Sequence, residues 1–154
     1  MRFLIVMLAS LAACGGTQSS ASAINPAFAG SWNVNASVTG AAFSPTNKGV
    51  ISTYSSTLLI TPSGASATVA HVCPDGSGTV TVNGTDNGPA GSAQNLSCPA
   101  LALGNCASVV PTFTLVTVEL LADGTLRALA AGVADGCGAV RVPVAVFFSG
   151  TRSP

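Results

Sequence analysis

Five cysteines are the residues of this chain whose type and spacing could carry chemistry. Cys14 stands alone near the N-terminus, and the other four are Cys73, Cys98, Cys106 and Cys137. An even number of cysteines in an exported domain is typical of disulfide bonds, so these four predict two disulfides. Zinc binding needs ligands at short, regular spacing, and the chain has neither a C-x-x-C nor an H-x-x-x-H motif. We therefore expect no metal site and no cofactor.

Groups suited to catalysis are scarce in this chain. The only histidine is His71, and the carboxylates are those of Asp75, Asp86, Glu119, Asp123 and Asp135. All but Glu119 lie in turn sequences, where an Asp side chain commonly accepts a backbone hydrogen bond. Acid–base catalysis needs a titratable pair within reach of a substrate, and no G-x-S-x-G or S-x-x-K motif supplies a serine nucleophile. We expect a structural His71, no catalytic residues and no enzymatic activity.

The N-terminal sequence has the layout of an export signal. Met1-Arg2 provides positive charge, Phe3 to Leu11 is almost wholly apolar, and small residues precede Cys14. The apolar segment is shorter than the ~20 residues that a membrane-spanning helix needs. Two alternative interpretations are a buried N-terminal strand or helix and a secretory signal that carries no lipid.

The tetrapeptide Leu11-Ala12-Ala13-Cys14 resembles the lipobox of bacterial lipoproteins. The resemblance implies lipidation of the Cys14 sulfur, cleavage before Cys14 and acylation of the new amino terminus. Acyl chains of this kind anchor a protein because each buried methylene contributes about 0.8 kcal/mol. The lipoprotein sorting pattern also implies export past the inner membrane, because Gly15 is not the aspartate that retains enteric lipoproteins there. We expect a lipid-anchored protein of the cell envelope, at the outer membrane of a diderm bacterium.

The composition limits the partners of the chain. Charged residues are only 6% of it, far below the ~25% of typical soluble domains. Without residues 1–13, four basic and five acidic side chains remain, which gives a formal net charge of −1. A charge near zero without a basic cluster argues against nucleic acid as a partner. Solubility must therefore rest on Ser, Thr, Asn and Gly.

Three segments organise the sequence: a signal peptide over residues 1–13, a flexible tether over 14–29 and one β domain over 30–154. The tether is predicted because its residues are small, polar and turn-rich. From Gly30 onward, apolar and polar residues alternate with a period of two, which predicts half-buried strands. The predicted strand segments are 30–38, 50–60, 65–72, 79–82, 90–98, 108–121, 125–134 and 140–148.

Short turn sequences separate these eight segments. The turn signals are Pro62-Ser63-Gly64, Pro74-Asp75-Gly76, Asn83-Gly84 with Asp86-Asn87-Gly88, Asp123-Gly124 and Asp135-Gly136. Asp-Gly and Asn-Gly favour hairpins, so the segments predict an antiparallel up-and-down meander. Pro111 and Pro143 lie within predicted strands, where proline marks either a bulge or an edge. We favour a small barrel, because closure removes exposed sheet edges, and keep a β-sandwich as the alternative.

The meander also predicts where the cysteines lie. Because strand direction alternates, Cys73, Cys98 and Cys137 all follow strands that finish at one end of the domain. Cys106 precedes the sixth strand at that same end. Folding the hairpin about Asp123-Gly124 brings Cys106 near Cys137, which leaves Cys73 with Cys98. We prefer this pairing over the two other possible pairings, and each bond would contribute about 2–4 kcal/mol.

The two ends of the domain sequence carry a further pattern. Gly30-Ser31-Trp32 opens the first strand, and Arg152 follows the last. These residues resemble the lipocalin–avidin group of eight-stranded barrels, in which a G-x-W motif begins strand one and a C-terminal arginine packs over the tryptophan. The physical basis is that a guanidinium stacks on an indole face. The resemblance implies structural roles for Gly30, Trp32 and Arg152; the alternative is that Trp32 is only a core residue of a β-sandwich.

Two functions are compatible with these features. The first is a non-enzymatic, membrane-anchored envelope protein that interacts with another protein. The second is a lipocalin-like carrier of a small apolar ligand, because an eight-stranded barrel either fills with side chains or holds one small ligand. Small interior residues such as Ala36, Ala67 and Ala128 would leave room for that ligand in a closed barrel.

Overall fold

The structure is a computed structural model of the chain. It describes residues 22–40, 43, 50–85, 88–92 and 94–154. The predicted signal peptide and Cys14 lie outside the described residues, as does Asp86. Apart from short 3₁₀ turns and loops, the described residues form antiparallel strands, so the predicted all-β class is confirmed. Among these residues, we find no helix with the length and apolar character needed to cross a bilayer.

The described residues form ten strands after a short 3₁₀ helix over Pro26–Phe28. The strands are β1 (Gly30–Thr39), β2 (Val50–Ser63), β3 (Ser66–Ala70), β4 (Thr79–Thr85), β5 (Gly88–Ser92), β6 (Leu96–Ser97), β7 (Leu101–Leu103), β8 (Cys106–Leu120), β9 (Leu126–Gly136) and β10 (Ala139–Arg152). Consecutive strands pair with each other from β1 through β5, and again from β8 through β10. This is the up-and-down meander that the turn signals predict.

Two further pairings close the sheet into a ring. The first and last strands pair from Trp32↔Arg152 to Thr39↔Ala145. On the other side, β5 pairs with β8 over only three residue pairs, centred on Gly91↔Thr117. The ring therefore contains eight strands, and the short β6 and β7 are additions that pair with β8. The predicted number of strands in the closed meander is confirmed, although the short β5–β8 seam makes the ring less regular than a uniform barrel.

Three local predictions differ from the structure. The segment 90–98 is not one strand, because β5 ends at Ser92 and β6 covers only Leu96–Ser97. The first part of the predicted turn, Asn83-Gly84, lies inside β4, which continues to Thr85. In its second part, Asp86 and Asn87 lie outside the described residues. The predicted turn at Asp135-Gly136 lies two residues further on, at Cys137-Gly138, where φ is 47° and 79°. Positive φ at both central residues is what a two-residue type I′ hairpin requires.

Both prolines within strands lie close to irregular pairing. Pro111 in β8 is opposite Ala134, and the register between β8 and β9 shifts two residues later, between Phe113 and Leu115. Pro143 in β10 follows a register shift that ends at Val142, and it lies beyond the last residue pair with β1. Bulged or singly paired positions tolerate the missing N–H of proline. The positions agree with the bulges expected for a closed meander.

Apolar side chains from every second position fill the inside of the ring. The largest fully buried residues are Trp32, Phe113, Leu58, Ile60, Leu103 and Leu126. Burying a side chain of this size stabilises a fold by about 1.5–3 kcal/mol relative to exposing it. Ala36, Ala67 and Ala128 are also buried in this cluster. The close strand approach at Gly150 excludes any larger residue, because an added Cβ would lie 1.9 Å from the Asn33 carbonyl oxygen.

Candidate functional site

Of the residues predicted to carry structural or chemical roles, all but Cys14 and Asp86 lie in the described part of the chain. They fall at opposite ends of the ring. Trp32 and Arg152 lie where β1 begins and β10 ends, which we call the sealed end. Both disulfides lie at the other end, near the start of β8 and the end of β9, which we call the disulfide end.

The sealed end is built around a buried tryptophan. Trp32 is 2% exposed, and its indole Nε1–H donates to the carbonyl oxygen of Phe28 at 2.9 Å. The guanidinium carbon of Arg152 lies 5.2 Å from the centre of the indole ring, and the same group donates to the carbonyl oxygen of Ala27. Gly30 begins the strand at φ 122°, a conformation that other residues rarely adopt. Gly30, Trp32 and Arg152 therefore act together as a structural unit.

Residues 22–29 also belong to the sealed end, although the sequence assigns them to the tether. Ile24 is buried, and its N–H donates to the Gly64 carbonyl oxygen at 3.0 Å. The side chain of Asn25 accepts from the N–H of Ala27 at 2.9 Å, which caps the 3₁₀ helix. These contacts join residues 22–29 to the ring.

At the disulfide end, the cysteines pair as the meander predicts. Cys73 bonds Cys98 across 25 residues of sequence, and Cys106 bonds Cys137 across 31. The two bonds differ in their surroundings, because Cys73 and Cys98 are both buried whereas Cys137 is exposed. Cys137 also adopts a positive φ at the tip of the β9–β10 hairpin. The second bond is therefore the one that solvent and reductants can reach.

Three of the aspartates and His71 take structural positions. The carboxylate of Asp75 accepts from both the N–H and the hydroxyl of Ser77, and these hydrogen bonds lower the pKa of Asp75. Asp123 accepts from the N–H of Thr125 in the β8–β9 turn, which lowers the pKa of Asp123. Asp135 accepts from the N–H of Arg141 at 2.6 Å. His71 Nδ1 lies 2.9 Å from the Thr57 carbonyl oxygen. This side chain therefore contacts β2 just beyond the last residue pair between β2 and β3.

Tyr54 is a buried polar group that sequence reasoning missed. It pairs with Ala36, on the inward face of β2, in the half of the ring toward the disulfide end. Its hydroxyl oxygen is buried and has no hydrogen-bond partner among the described residues. Burial, with a smaller contribution from the negative charge of Asp75, raises the pKa of Tyr54 to about 12. The hydroxyl therefore stays protonated inside the ring.

The outer surface of the ring has two unlike faces. On β1, β2 and β10, amide and hydroxyl side chains such as Asn33, Asn35 and Thr57 surround a cavity of about 530 Å³. On β8, β9 and β10, the outer face exposes Leu115 and Phe147, and a cavity of about 310 Å³ lies beside Phe147. The alternation in β1 marked Asn33 and Asn35 as solvated, but the cavity depends on pairing with strands distant in sequence. We call the first surface the amide face and the second the apolar face.

The described residues contain no group of three or more His, Cys, Asp or Glu side chains arranged to hold a metal ion. No family model, curated protein or solved structure matches this chain. The arrangement of the side chains themselves must therefore carry any functional conclusion. What the geometry offers is a filled ring, two chemically distinct ends and two chemically distinct outer faces.

Proposed function

We propose that this chain is a non-enzymatic envelope lipoprotein, held at the membrane by a lipid on Cys14, that binds an envelope component through the outside of its β ring. The observation that carries the proposal is that the inside of the ring is filled with buried side chains such as Trp32 and Phe113, whereas the cavities described above lie on its outer faces. A surface so poor in charge suits uncharged partners.

The use of the carboxylates supports a role without catalysis. Asp75 and Asp123 each accept a backbone N–H in a turn, and Asp135 accepts one across the β9–β10 hairpin, so their oxygens hold the local backbone in place. His71 is engaged with a backbone carbonyl oxygen rather than with a carboxylate. General acid–base catalysis instead requires such groups to converge on one substrate position. These residues contribute to loop structure, which is the role expected of turn aspartates.

The sealed end would face the membrane in the anchored protein. The described chain starts at Ser22, and the segment from Cys14 to residue 21 spans at most about 28 Å when extended. Ile24 enters the fold at the sealed end, beside Gly64. A lipid on Cys14 would therefore hold the sealed end close to the bilayer and direct the disulfide end away from it.

Metabolic labelling with an azido-palmitate analogue tests the anchor. We expect the wild-type chain to take up the label and the Cys14→Ser variant to take up none. The variant should also move from the outer-membrane fraction to the soluble envelope fraction. An unlabelled wild-type chain, or a label that persists in the Cys14→Ser variant, would contradict the proposal. Cys137→Ser is a control, because it removes an exposed cysteine and leaves the lipobox intact.

A second candidate is a carrier of a small apolar ligand, as the resemblance to lipocalin–avidin barrels implies. Two observations favour it: the closed ring with Arg152 over Trp32, and the unpartnered Tyr54 hydroxyl inside that ring. A ligand oxygen at the disulfide end would satisfy that hydroxyl. Titration with fatty acids and retinoids, followed by Trp32 fluorescence and Tyr54 absorbance, tests this candidate. No response from either residue would remove the carrier function.

A further inference from the structure

The amide face is organised by the register of three strands. Asn33 on β1 lies between Thr57 of β2 and Thr151 of β10. Two residues further along β1, Asn35 lies between Ser55 and Ser149. Every side chain in these two rows is an amide or a hydroxyl, so the rows offer hydrogen-bond donors and acceptors but no charge.

The two asparagines of the amide face have their oxygens already engaged. The Thr57 hydroxyl donates to Asn33 Oδ1 at 3.5 Å, and the Ser55 hydroxyl donates to Asn35 Oδ1 at 3.3 Å. Both side chains are exposed, and these contacts orient the two amide planes. Their NH₂ groups remain as donors, separated by about 7 Å because the residues are two positions apart on one strand.

Apolar side chains border the two polar rows. In the row beyond Asn35, Ser37 pairs with Phe147 of β10, whose side chain is 49% exposed. In the row on the other side, Ser31 pairs with Leu59 of β2, which is 40% exposed. The amide face therefore presents uncharged donors and acceptors between an exposed phenyl ring and an exposed leucine. These rows extend along β1 for about 20 Å.

We propose that the amide face binds a neutral oligosaccharide, which rests on the proposed function and names the class of envelope component bound. Sugar hydroxyls both donate and accept, so they match a surface of amides and hydroxyls. The C–H face of a sugar ring packs against an aromatic ring, and Phe147 of the neighbouring apolar face borders the amide face at Ser37. The cavity of about 530 Å³ lies within the size range of small-molecule sites. A charged ligand would find no opposite charge in either row.

Nuclear magnetic resonance on the purified full chain tests this proposal, because side-chain amides are observed directly. The ¹⁵N-labelled protein would be kept in a detergent without a sugar headgroup and titrated with maltohexaose, cellohexaose and chitohexaose. We expect at least one hexasaccharide to shift the Asn33 and Asn35 NH₂ resonances saturably at millimolar concentration. The resonances of Asn83 and Gln94, which lie away from the amide face, should stay fixed.

Matched variants decide whether the amide face is the site. Asn35→Ala and Phe147→Ala should each weaken binding by about fivefold, the effect expected from one hydrogen bond or one stacked ring. Asn83→Ala, an exposed residue on β4, should leave the affinity unchanged. No shift with any of the three sugars, or an equal loss in Asn83→Ala, would overturn the proposal. Because the titration does not need the lipid on Cys14, its failure would leave the anchor untouched, and an unlabelled Cys14 would leave this site untouched.

Discussion

At the sealed end, Trp32 is enclosed by Arg152 and by residues 22–29, whereas at the other end two disulfides hold the connections between strands. The connections at the sealed end are short, as in the two residues between β2 and β3. At the disulfide end, eight residues from His71 to Gly78 join β3 to β4, although the β9–β10 hairpin there also has only two. Longer connections lose more conformational entropy on folding, and a covalent crosslink reduces that loss.

The backbone differs between the two ends in the same way. Among the described residues, His71, Cys137 and Arg141 have positive φ without being glycine, and all three lie at the disulfide end. Such conformations persist only where surrounding contacts enforce them. Here the contacts are the Thr57 carbonyl oxygen for His71, the bond to Cys106 for Cys137 and the Asp135 carboxylate for Arg141. Close packing around Trp32 fixes the conformation of the sealed end. A disulfide and specific hydrogen bonds fix the backbone conformation of the disulfide end.

The largest expected effect is at the sealed end. Trp32→Ala should lower the free energy of unfolding by about 3–5 kcal/mol, because it leaves a cavity where a buried indole stood. It also removes the ring beneath Arg152 and the donor to Phe28. Urea unfolding followed by circular dichroism measures this loss. Phe147→Ala removes an aromatic ring that is 49% exposed and should cost far less; equal losses would show that the sealed end is not a stabilising unit.

The disulfide end should respond to reduction in two steps. Cys106–Cys137 should be reduced first, because Cys137 is exposed whereas both sulfur-bearing side chains of Cys73–Cys98 are buried. Loss of either bond should cost about 2–4 kcal/mol, with the buried pair opening only as the fold loosens. Alkylation of thiols at increasing dithiothreitol, followed by mass spectrometry, gives the order. Simultaneous reduction of both bonds would show that the two disulfides do not differ in their accessibility to reductant.

The ring and its crosslinks could be predicted because they depend on local patterns. Alternation in β1 and β10 gives the inward faces, and turn residues such as Asp123-Gly124 give the reversals of direction. Alternating direction then brings Cys106 near Cys137 without any long-range information. The prediction of one strand over 90–98 was wrong for the opposite reason. Gly91 and its neighbours supply little apolar alternation, and their pairing depends on β8, which is distant in sequence.

Most of the candidate site could not be predicted from the sequence. Asn33 and Thr151 are neighbours only because β1 pairs with β10, and nothing local specifies that register. Ile24 lies in a stretch whose small, polar composition indicates a tether, yet it is buried and its N–H donates to Gly64 in the β2–β3 turn. Tyr54 follows a Ser- and Thr-rich stretch in which inward and outward positions cannot be distinguished by polarity. In each case the deciding contact is distant along the chain.

The smallest expected effect concerns Tyr54, in the half of the ring toward the disulfide end. Tyr54→Phe removes a buried hydroxyl that has no partner among the described residues, so stability at neutral pH should be unchanged or higher by up to about 1 kcal/mol. If Tyr54→Phe instead lowers the free energy of unfolding by more than about 1 kcal/mol, the hydroxyl binds a group inside the ring. Urea unfolding of the two proteins, compared at pH 7 by circular dichroism, measures this difference.

Alkaline pH provides the sharper form of the same test. Burial and the charge of Asp75 raise the pKa of Tyr54 to about 12, whereas an unfolded tyrosine titrates near 10. The protonated hydroxyl therefore favours the folded state below about pH 10, and that contribution is lost as the pH rises through about 12. Because Tyr54 is the only tyrosine, absorbance at 295 nm reports its ionisation alone. We expect a raised midpoint that Asp75→Asn lowers slightly; a midpoint near 10 in the folded protein would place the Tyr54 hydroxyl in water.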